Sequence, residues 1–279
     1  MSNAVLQRIE VERRVRLAVS VAPRSDKPTI ILSNSVGSDL RMWDDVVSRL
    51  SDKARIVRYD TRGHGRSDLG TGAVTIERLG RDVIAVLDDL NIDRAVFCGL
   101  SLGGLTGQWL GAEASDRFHG LILANTASNF PPPALWLDRA RSVREQGMDH
   151  LVRPTLDRWL SKSFQDRQPG RTTEVAQMIA TTSAEGYARC CELLASADLT
   201  PLLSRITAPV RIICGRLDLS TTPVRGVELA ETIPEADLVT LDAAHISAIE
   251  AADGFAAAAE DFIRRVTSAK IESAGGTAR

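Results

Sequence analysis

One stretch, residues 95–104 with the sequence AVFCGLSLGG, limits the possible folds of this chain more than any other. It begins with an apolar run that is typical of a buried strand and ends in the pattern Gly-x-Ser-x-Gly. Apolar residues then recur at helical spacing, at Leu102, Leu105 and Trp109. A serine on a sharp turn between strand and helix is exposed at the carboxyl end of a sheet, where free helix N–H groups can bind an anion. The stretch therefore predicts Ser101 as a nucleophile in an α/β fold.

The Gly-x-Ser-x-Gly pattern by itself also has a simpler interpretation. Gly and Ser are common residues, so the same pattern occurs in glycine-rich turns whose serine is only solvated. The strand before Ser101 and the helix after it favour the nucleophile. The glycines at 99 and 103 support it as well, because they let backbone segments pass close to the turn.

Strand and helix patterns alternate along the first half of the chain and return near its end. The second predicted strand alternates between apolar and polar residues, which is typical of a half-exposed antiparallel hairpin at a sheet edge. Later strands are continuous apolar runs, as in a covered parallel sheet. We therefore predict an α/β protein with a mostly parallel eight-stranded sheet and helices on both faces. The predicted strands cover residues 5–9, 15–21, 29–32, 54–59, 95–98, 120–124, 210–214 and 238–241.

The alternation stops after about residue 127, where Pro131, Pro132 and Pro133 open a region with helical patterns and no strand pattern. We interpret this region as a helical cap inserted over the sheet, and a separate helical domain is the alternative. The small polar residues at the C-terminus predict a flexible tail. The predicted divisions are a core in two parts (1–126 and 201–266), a cap (127–200) and a tail (267–279), with helices at 134–146, 148–160, 171–182, 184–195 and 253–266.

Charge and cysteine content exclude several classes of function. With 34 Lys and Arg against 36 Asp and Glu, the net charge is −2, which does not suggest binding to nucleic acid or to an anionic membrane surface. The chain has no apolar run of about 18 residues, and its N-terminus lacks the features of a secretory signal. Its four cysteines form no C-x-x-C pair, so we expect no metal site and free thiols in the cytoplasm.

A serine nucleophile needs a base, and the chain has four histidines. In serine hydrolases with this strand–turn–helix motif, the order along the chain is Ser, acid, His. Only His245 lies late enough, after the last predicted strand. His64, in the loop after residue 59, is its rival, although a histidine there more often stabilises its own turn. His119 and His150 are expected at the surface or in packing.

The acid of the triad should lie just past a strand end, between Ser101 and His245. Asp218 fits, because it follows the strand that ends at Cys214. Asp198 lies near the boundary of the cap, and Asp242 is too close to His245 to be placed freely. A solvated surface carboxylate is the alternative for each of them.

An oxyanion hole should use two backbone N–H groups. One belongs to Leu102, the residue after the nucleophile, and the second should come from the loop after the strand 29–32. We choose Val36 for the second donor. Two such donors are expected to contribute several kcal/mol to stabilisation of the transition state.

These residues resemble the α/β-hydrolase superfamily along the whole chain, except in the tail. Within it, several segments resemble 3-oxoadipate enol-lactonases, which open an enol-lactone ring in the β-ketoadipate route of aromatic breakdown. The loop around His245 differs slightly from the pattern of this family, because relatives commonly have Gly before the histidine. After Glu250, Ala-Ala-Asp replaces the more usual Gln-Pro-Glu. The segments that carry the resemblance are Leu32–Ser35, Arg58–Gly65, Gly99–Gly104, Gly107–Gly111 and Ala124–Ala127.

The resemblance implies that Ser101 is the nucleophile, Asp218 the acid and His245 the base, acting on a small lactone or ester without a cofactor. A general carboxylesterase or lactonase, with a perhydrolase as a variant, is the alternative enzyme. A ligand-binding protein that has kept the hydrolase fold is the non-enzymatic alternative. The sequence does not decide between a monomer and a homo-oligomer.

The implied substrate carries a carboxylate, so the pocket should contain a cation. Candidates in the first cap helix are Arg139, Arg141 and Arg144, with Trp136 as an apolar wall. The alternative for each of these arginines is a position in solvent.

Overall fold

A single eight-stranded sheet organises the computed structural model, which describes the backbone of residues 4–274 and the side chains of residues 4–268. The strand order is β1-β2-β4-β3-β5-β6-β7-β8. The first three strands in this order pair antiparallel and all the others pair parallel. This confirms the predicted fold class. The strands are β1 (Val5–Glu12), β2 (Val15–Val21), β3 (Thr29–Ser33), β4 (Arg55–Tyr59), β5 (Ala95–Leu100), β6 (Phe118–Ala124), β7 (Val210–Gly215) and β8 (Ala236–Leu241).

Helices cover both faces of the sheet. Successive residues of a strand point to opposite faces, so Ile30 and Leu32 of β3 belong to one apolar core and Ile31 to the other. Burial of each such side chain contributes about 1.5–3 kcal/mol. The helices are α1 (Asp44–Leu50), α2 (Ile76–Asp89), α3 (Leu102–Glu113), α4 (Pro133–Gln146), α5 (Asp149–Trp159), α6 (Lys162–Arg167), α7 (Pro169–Ala180), α8 (Ala184–Ser196), α9 (Pro223–Thr232), α10 (Ser247–Glu250) and α11 (Ala252–Ala274).

Five helices, α4 to α8, lie between β6 and β7, where the sequence predicts four. The additional helix, α6, is one of the shortest in the chain. It begins at the N-cap Ser161, whose hydroxyl accepts a hydrogen bond from the N–H of Phe164. Six residues are too few to show an apolar periodicity, which explains why the sequence pattern does not reveal this helix.

The last helix is longer than the sequence predicts, since α11 continues to Ala274 rather than ending at 266. Residues 267–274 contain no Gly or Pro, and the first glycine follows at 275. Residues 1–3 of the predicted core and 275–279 of the predicted tail lie outside the described residues. Within the described part of the chain, no helix is both long and apolar enough to cross a membrane.

The register of the central strands determines where the candidate site lies. Ser33 of β3 is the partner of Gly99 of β5, so the two strands end side by side. The loop after β3 therefore meets the turn that carries Ser101. The N–H of Gly103 donates to the carbonyl of Asn34 at 3.0 Å and joins the two segments.

Candidate active site

Ser101 lies on a strained turn between β5 and α3. Its φ is +58° and its ψ is −113°, a conformation that non-glycine residues rarely adopt. Glycine is required at positions 99 and 103, because other backbone atoms lie too close there to leave room for a side chain. A Cβ on Gly99 would lie 2.2 Å from the carbonyl oxygen of Gly103, and a Cβ on Gly103 would lie 2.3 Å from that of Ser33. The structure thus forms the tight turn that the Gly-x-Ser-x-Gly pattern predicts.

His245 and Asp218 come together beside this turn. His245 Nδ1 lies 2.9 Å from Asp218 Oδ2, and both side chains are buried. Asp218 follows β7 and His245 follows β8, so two neighbouring parallel strands present the acid and the base at the same edge of the sheet. Ser101 and His245 line one pocket. The residues that the sequence predicts as a triad therefore meet in space.

Several hydrogen bonds keep the Asp218 carboxylate charged. Burial alone would raise its pKa, but the charge of His245 and hydrogen bonds from His245 and Asn125 hold the pKa below its ordinary value. Thr221 donates to Asp218 from its hydroxyl at 2.8 Å and from its backbone N–H at 2.9 Å. An ionised carboxylate at this position can orient the imidazole and stabilise its protonated form.

Asn125 is a buried residue beside Asp218 that the sequence patterns do not single out. It follows β6 with a φ of +43°, and its Nδ2 donates to Asp218 Oδ2 at 2.9 Å. Its Oδ1 accepts a hydrogen bond from the hydroxyl of Ser247. The side chain of Asn125 thereby connects the ends of β6 and β7 to the segment after His245. An asparagine directly after a parallel strand is the available sequence signal, although surface turns show the same pattern.

The alternative acids and bases lie elsewhere. Asp198 accepts hydrogen bonds from Asn129 and Thr200 at the surface, and Asp242 pairs with Arg216 at 2.6 Å in solvent. His150 is exposed, with its Nε2 3.0 Å from the hydroxyl of Ser142.

His64 is buried in the loop after β4, where it binds two backbone groups. Its Nε2 accepts a hydrogen bond from the N–H of Gly37 at 3.0 Å, and its Nδ1 lies 3.2 Å from the carbonyl of Arg62. Burial lowers its pKa to about 4, so the ring is neutral at pH 7. A neutral ring that accepts at Nε2 carries its proton on Nδ1 and donates it to Arg62. His64 thus stabilises the conformation of the loop after β3.

Val36 and Leu102 carry the two candidate oxyanion donors. Neighbouring N–H groups are occupied: that of Ser35 approaches the Met42 sulfur at 3.4 Å, and that of Gly37 donates to His64. The N–H groups of Val36 and Leu102, in contrast, have no acceptor within hydrogen-bond distance among residues 4–268. Val36 also lines the pocket that contains Ser101. The two free donors fit an oxyanion hole.

The helices between β6 and β7 form one wall of the pocket that contains Ser101 and His245. Trp136 and Arg139 of α4 line it, together with Arg158 of α5, which sequence reasoning missed. The guanidinium of Arg139 lies 4.9 Å from the centroid of the Trp136 ring. Neither Arg139 nor Arg158 forms a hydrogen bond or an ion pair through its guanidinium with any residue that the structure describes. A guanidinium without an ionic partner in a pocket has the chemistry to bind an anion such as a carboxylate.

The structure does not bring the other two predicted arginines to this pocket. Arg141 is exposed and pairs with Asp138 at 2.7 Å, one turn earlier on α4. Arg144 pairs with Glu185 at 2.8 Å and with Glu192 at 2.5 Å. Their positions follow from the helix period, because residues two and five positions after Arg139 point to other sides of α4. Among the described residues, no group of three or more His, Cys, Asp or Glu side chains could hold a metal ion.

Comparisons with known proteins agree with this architecture. A model of the alpha/beta hydrolase family matches residues 30–258. Two relatives come from Acinetobacter baylyi. 3-Oxoadipate enol-lactonase 2 is 42% identical over 90% of this chain and 94% of its own length, and 3-oxoadipate enol-lactonase 1 is 38% identical with the same coverage. The solved structure of the enol-lactonase from Burkholderia xenovorans LB400 is 42% identical, with a TM-score of 0.89 over 91% of this chain and 99% of that one. The family match extends from β3 past β8 and includes the helices between β6 and β7, whereas β1 and β2 precede it.

Proposed function

Because the chain belongs to the alpha/beta hydrolase family and is an enol-lactonase-like hydrolase, we propose that it opens the ring of 3-oxoadipate enol-lactone with water to give 3-oxoadipate. The observation that carries the proposal is the arrangement of these three residues. Ser101 and His245 line the same pocket, and Asp218 Oδ2 lies 2.9 Å from Nδ1 of His245. In this proposal Ser101 is the nucleophile, His245 is the general base and Asp218 is the acid that orients it. The reaction belongs to the breakdown of aromatic compounds.

Ring opening begins when the Oγ of Ser101 attacks the lactone carbonyl carbon and His245 Nε2 takes the serine proton. The carbonyl oxygen becomes an oxyanion, which the N–H groups of Val36 and Leu102 stabilise. The bond between the carbonyl carbon and the ring oxygen then breaks. His245 returns the proton to the enol oxygen, and the acyl group remains on Ser101. The enol becomes a ketone, which makes ring opening favourable.

Hydrolysis of the acyl-enzyme uses the same groups in the same order. His245 takes a proton from water, the resulting hydroxide attacks the acyl carbon, and a second oxyanion forms between the same two donors. When this intermediate collapses, Ser101 leaves with the proton from His245 and the product gains its second carboxylate. One water is consumed for each ring opened.

The two free arginines of the pocket support recognition of the carboxylate that the substrate already carries. Burial lowers the pKa of the Arg158 guanidinium, and the nearby charge of Arg139 lowers it further. A carboxylate between the two guanidinium groups would offset this repulsion and supply charge-assisted hydrogen bonds. Trp136 would then form the apolar wall of the site.

We further propose that α4 to α8 act as a cap and that the enzyme works in the cytoplasm on a small-molecule substrate. Helices α4, α5 and α8 each contribute pocket residues, which supports the cap. Buried free thiols suit a reducing compartment. Burial raises the pKa of each of them, at Cys98, Cys190, Cys191 and Cys214.

The test of this proposal compares two substrates on the purified protein. Loss of the ultraviolet absorbance of the enol-lactone reports ring opening, and release of a phenol from a simple aryl ester reports general esterase activity. We expect kcat/KM for the lactone to exceed that for the ester. Faster cleavage of the ester, with the lactone untouched, would instead make the protein a general carboxylesterase.

A further inference from the structure

The hydroxyl of Ser35 is a buried polar group that the mechanism above does not use. Ser35 is only 1% exposed, and its Oγ has no hydrogen-bond partner among the residues that the structure describes. Leaving a buried hydroxyl unpaired costs about 1–3 kcal/mol, so a hydroxyl of this kind that lines a pocket gains a hydrogen bond when a ligand brings an acceptor to it. Ser35 lines the pocket of Ser101 and His245.

The backbone on both sides of this hydroxyl is fixed. The N–H of Ser35 approaches the Met42 sulfur at 3.4 Å, and its carbonyl accepts a hydrogen bond from the hydroxyl of Ser38 at 2.8 Å. The second bond holds the peptide plane between Ser35 and Val36, because a peptide unit is planar. The N–H of Val36 belongs to that same plane and points opposite to the carbonyl. The position of Ser35 is thus set together with that of a candidate oxyanion donor.

Ser35 and Val36 are consecutive residues, and both line the pocket of Ser101 and His245. One acceptor atom can therefore receive hydrogen bonds from the Ser35 hydroxyl and the Val36 N–H at once. A hydroxyl can rotate its proton toward such an acceptor. Since the N–H of Val36 faces the site of the developing oxyanion in the proposed mechanism, the same oxygen completes the hydrogen bonding of Ser35.

We propose that the Ser35 hydroxyl is a third donor of the oxyanion hole and hydrogen-bonds to the former carbonyl oxygen in both tetrahedral intermediates. This inference rests on the proposed function only in requiring that Ser101 attacks an ester carbonyl. Because the hydroxyl has no partner among the residues that the structure describes, its bond to the substrate forms on binding and strengthens as negative charge develops.

The test is Ser35→Ala, compared with Ser35→Cys and with Thr61→Val. Thr61 carries a second buried hydroxyl without a partner among the described residues, but it does not line the pocket, so Thr61→Val is the matched control. We expect Ser35→Ala to lower kcat by about tenfold to a hundredfold with little change in KM. Ser35→Cys, which has the same branching and a weaker donor on a slightly larger atom, should fall between Ser35→Ala and wild type. Thr61→Val should keep the wild-type kcat.

Two further measurements separate this role from a structural one. A boronic acid, which forms a tetrahedral adduct with an active-site serine, should bind Ser35→Ala more weakly by the same factor as the loss of kcat, whereas the affinity for the product 3-oxoadipate should not change. The melting temperature of Ser35→Ala should equal or exceed that of the wild type, because the mutation removes an unpaired buried group.

Three results for Ser35→Ala would overturn the proposal. The first is an unchanged kcat in the folded variant, and the second is a raised KM with weaker product binding at constant kcat. The third is a lowered melting temperature together with a parallel loss in every assay. If the wild type does not open the lactone but cleaves the aryl ester, the proposed substrate fails. The role of Ser35 is then decided by the same variants on the ester and the boronic acid.

Discussion

The carboxylate of Asp218 accepts hydrogen bonds from His245, Asn125, the hydroxyl of Thr221 and the backbone N–H groups of Ser220 and Thr221. These donors hold the charged carboxylate in a fixed position although it is buried. A fixed negative charge 2.9 Å from the imidazole favours the protonated ring that forms during both acylation and deacylation. At the scale of single residues, the strength of the base therefore depends on the number of donors that Asp218 receives.

Replacement of Asn125 by alanine tests this dependence. Asn125→Ala removes the amide that fixes the Asp218 carboxylate, so the imidazole is less well oriented and we expect kcat to fall by about tenfold to a hundredfold. The carboxylate also loses one of the donors that hold its pKa below the ordinary value, so the pKa of Asp218 should rise. The acid limb of the profile of kcat/KM against pH should consequently move to higher pH. An unchanged kcat with an unmoved acid limb would show that Asn125 does not act through Asp218.

At the scale of elements, the site depends on loops that the sheet brings together and on helices outside the sheet. The register of β3 and β5 places the loop after β3 against the turn at Ser101, and His64 fixes the same loop from the other side through Gly37. The arginines of the pocket come instead from α4 and α5. This division predicts that the loops determine the rate of the reaction and that the helices determine which substrate is bound.

Neutralising the two pocket arginines should therefore change binding rather than chemistry. In Arg139→Ala and in Arg158→Ala, we expect KM for the lactone to rise by about tenfold or more, because each loses a charge-assisted hydrogen bond to the carboxylate. The kcat/KM for an uncharged aryl ester should stay within about twofold of wild type. Arg141→Ala is the matched control, since Arg141 lies on α4 but pairs with Asp138 in solvent. If all three variants have the wild-type KM, the carboxylate binds elsewhere.

At the scale of the whole molecule, local patterns suffice to predict the sheet and the placement of Ser101, Asp218 and His245, but not the wall of the pocket. Ser101, Asp218 and His245 each follow a strand with a clear apolar run, so topology brings them to one edge of the sheet. Arg158 differs, because only the packing of α5 against the sheet loops decides which of its faces lines the pocket. The unpaired state of Arg139 depends in the same way on the packing of distant segments, whereas the pairing of Arg141 with Asp138 is a local contact within α4.

Acid stability of the whole molecule should depend on His64. Burial lowers its pKa from an ordinary 6.5 to about 4. Between these pH values the unfolded chain binds a proton that the folded protein does not, so the free energy of unfolding falls as the pH falls. The expected loss from this residue is on the order of 3 kcal/mol by pH 4. Burial raises the pKa values of Asp60 and Asp82, which act in the opposite direction.

Comparing wild type with His64→Gln isolates the contribution of the histidine from those carboxylates. Urea titrations at pH 7 and pH 4 give the free energy of unfolding of each protein. The loss of stability between the two pH values should be smaller in His64→Gln by on the order of 3 kcal/mol. Equal losses in the two proteins would mean that His64 takes up its proton in the folded state as readily as in the unfolded chain.

The measurement that tests the central claim most directly is turnover of the enol-lactone by wild type, Ser101→Ala and Ser48→Ala. Ser48 lies on α1 at the surface and serves as the control. Since removal of a serine nucleophile leaves only binding and the oxyanion hole, we expect kcat to fall by about 10⁴-fold or more in Ser101→Ala. Ser48→Ala should keep the wild-type rate. Full turnover of the lactone by folded Ser101→Ala would contradict the mechanism, because no acyl-enzyme could then form at this residue.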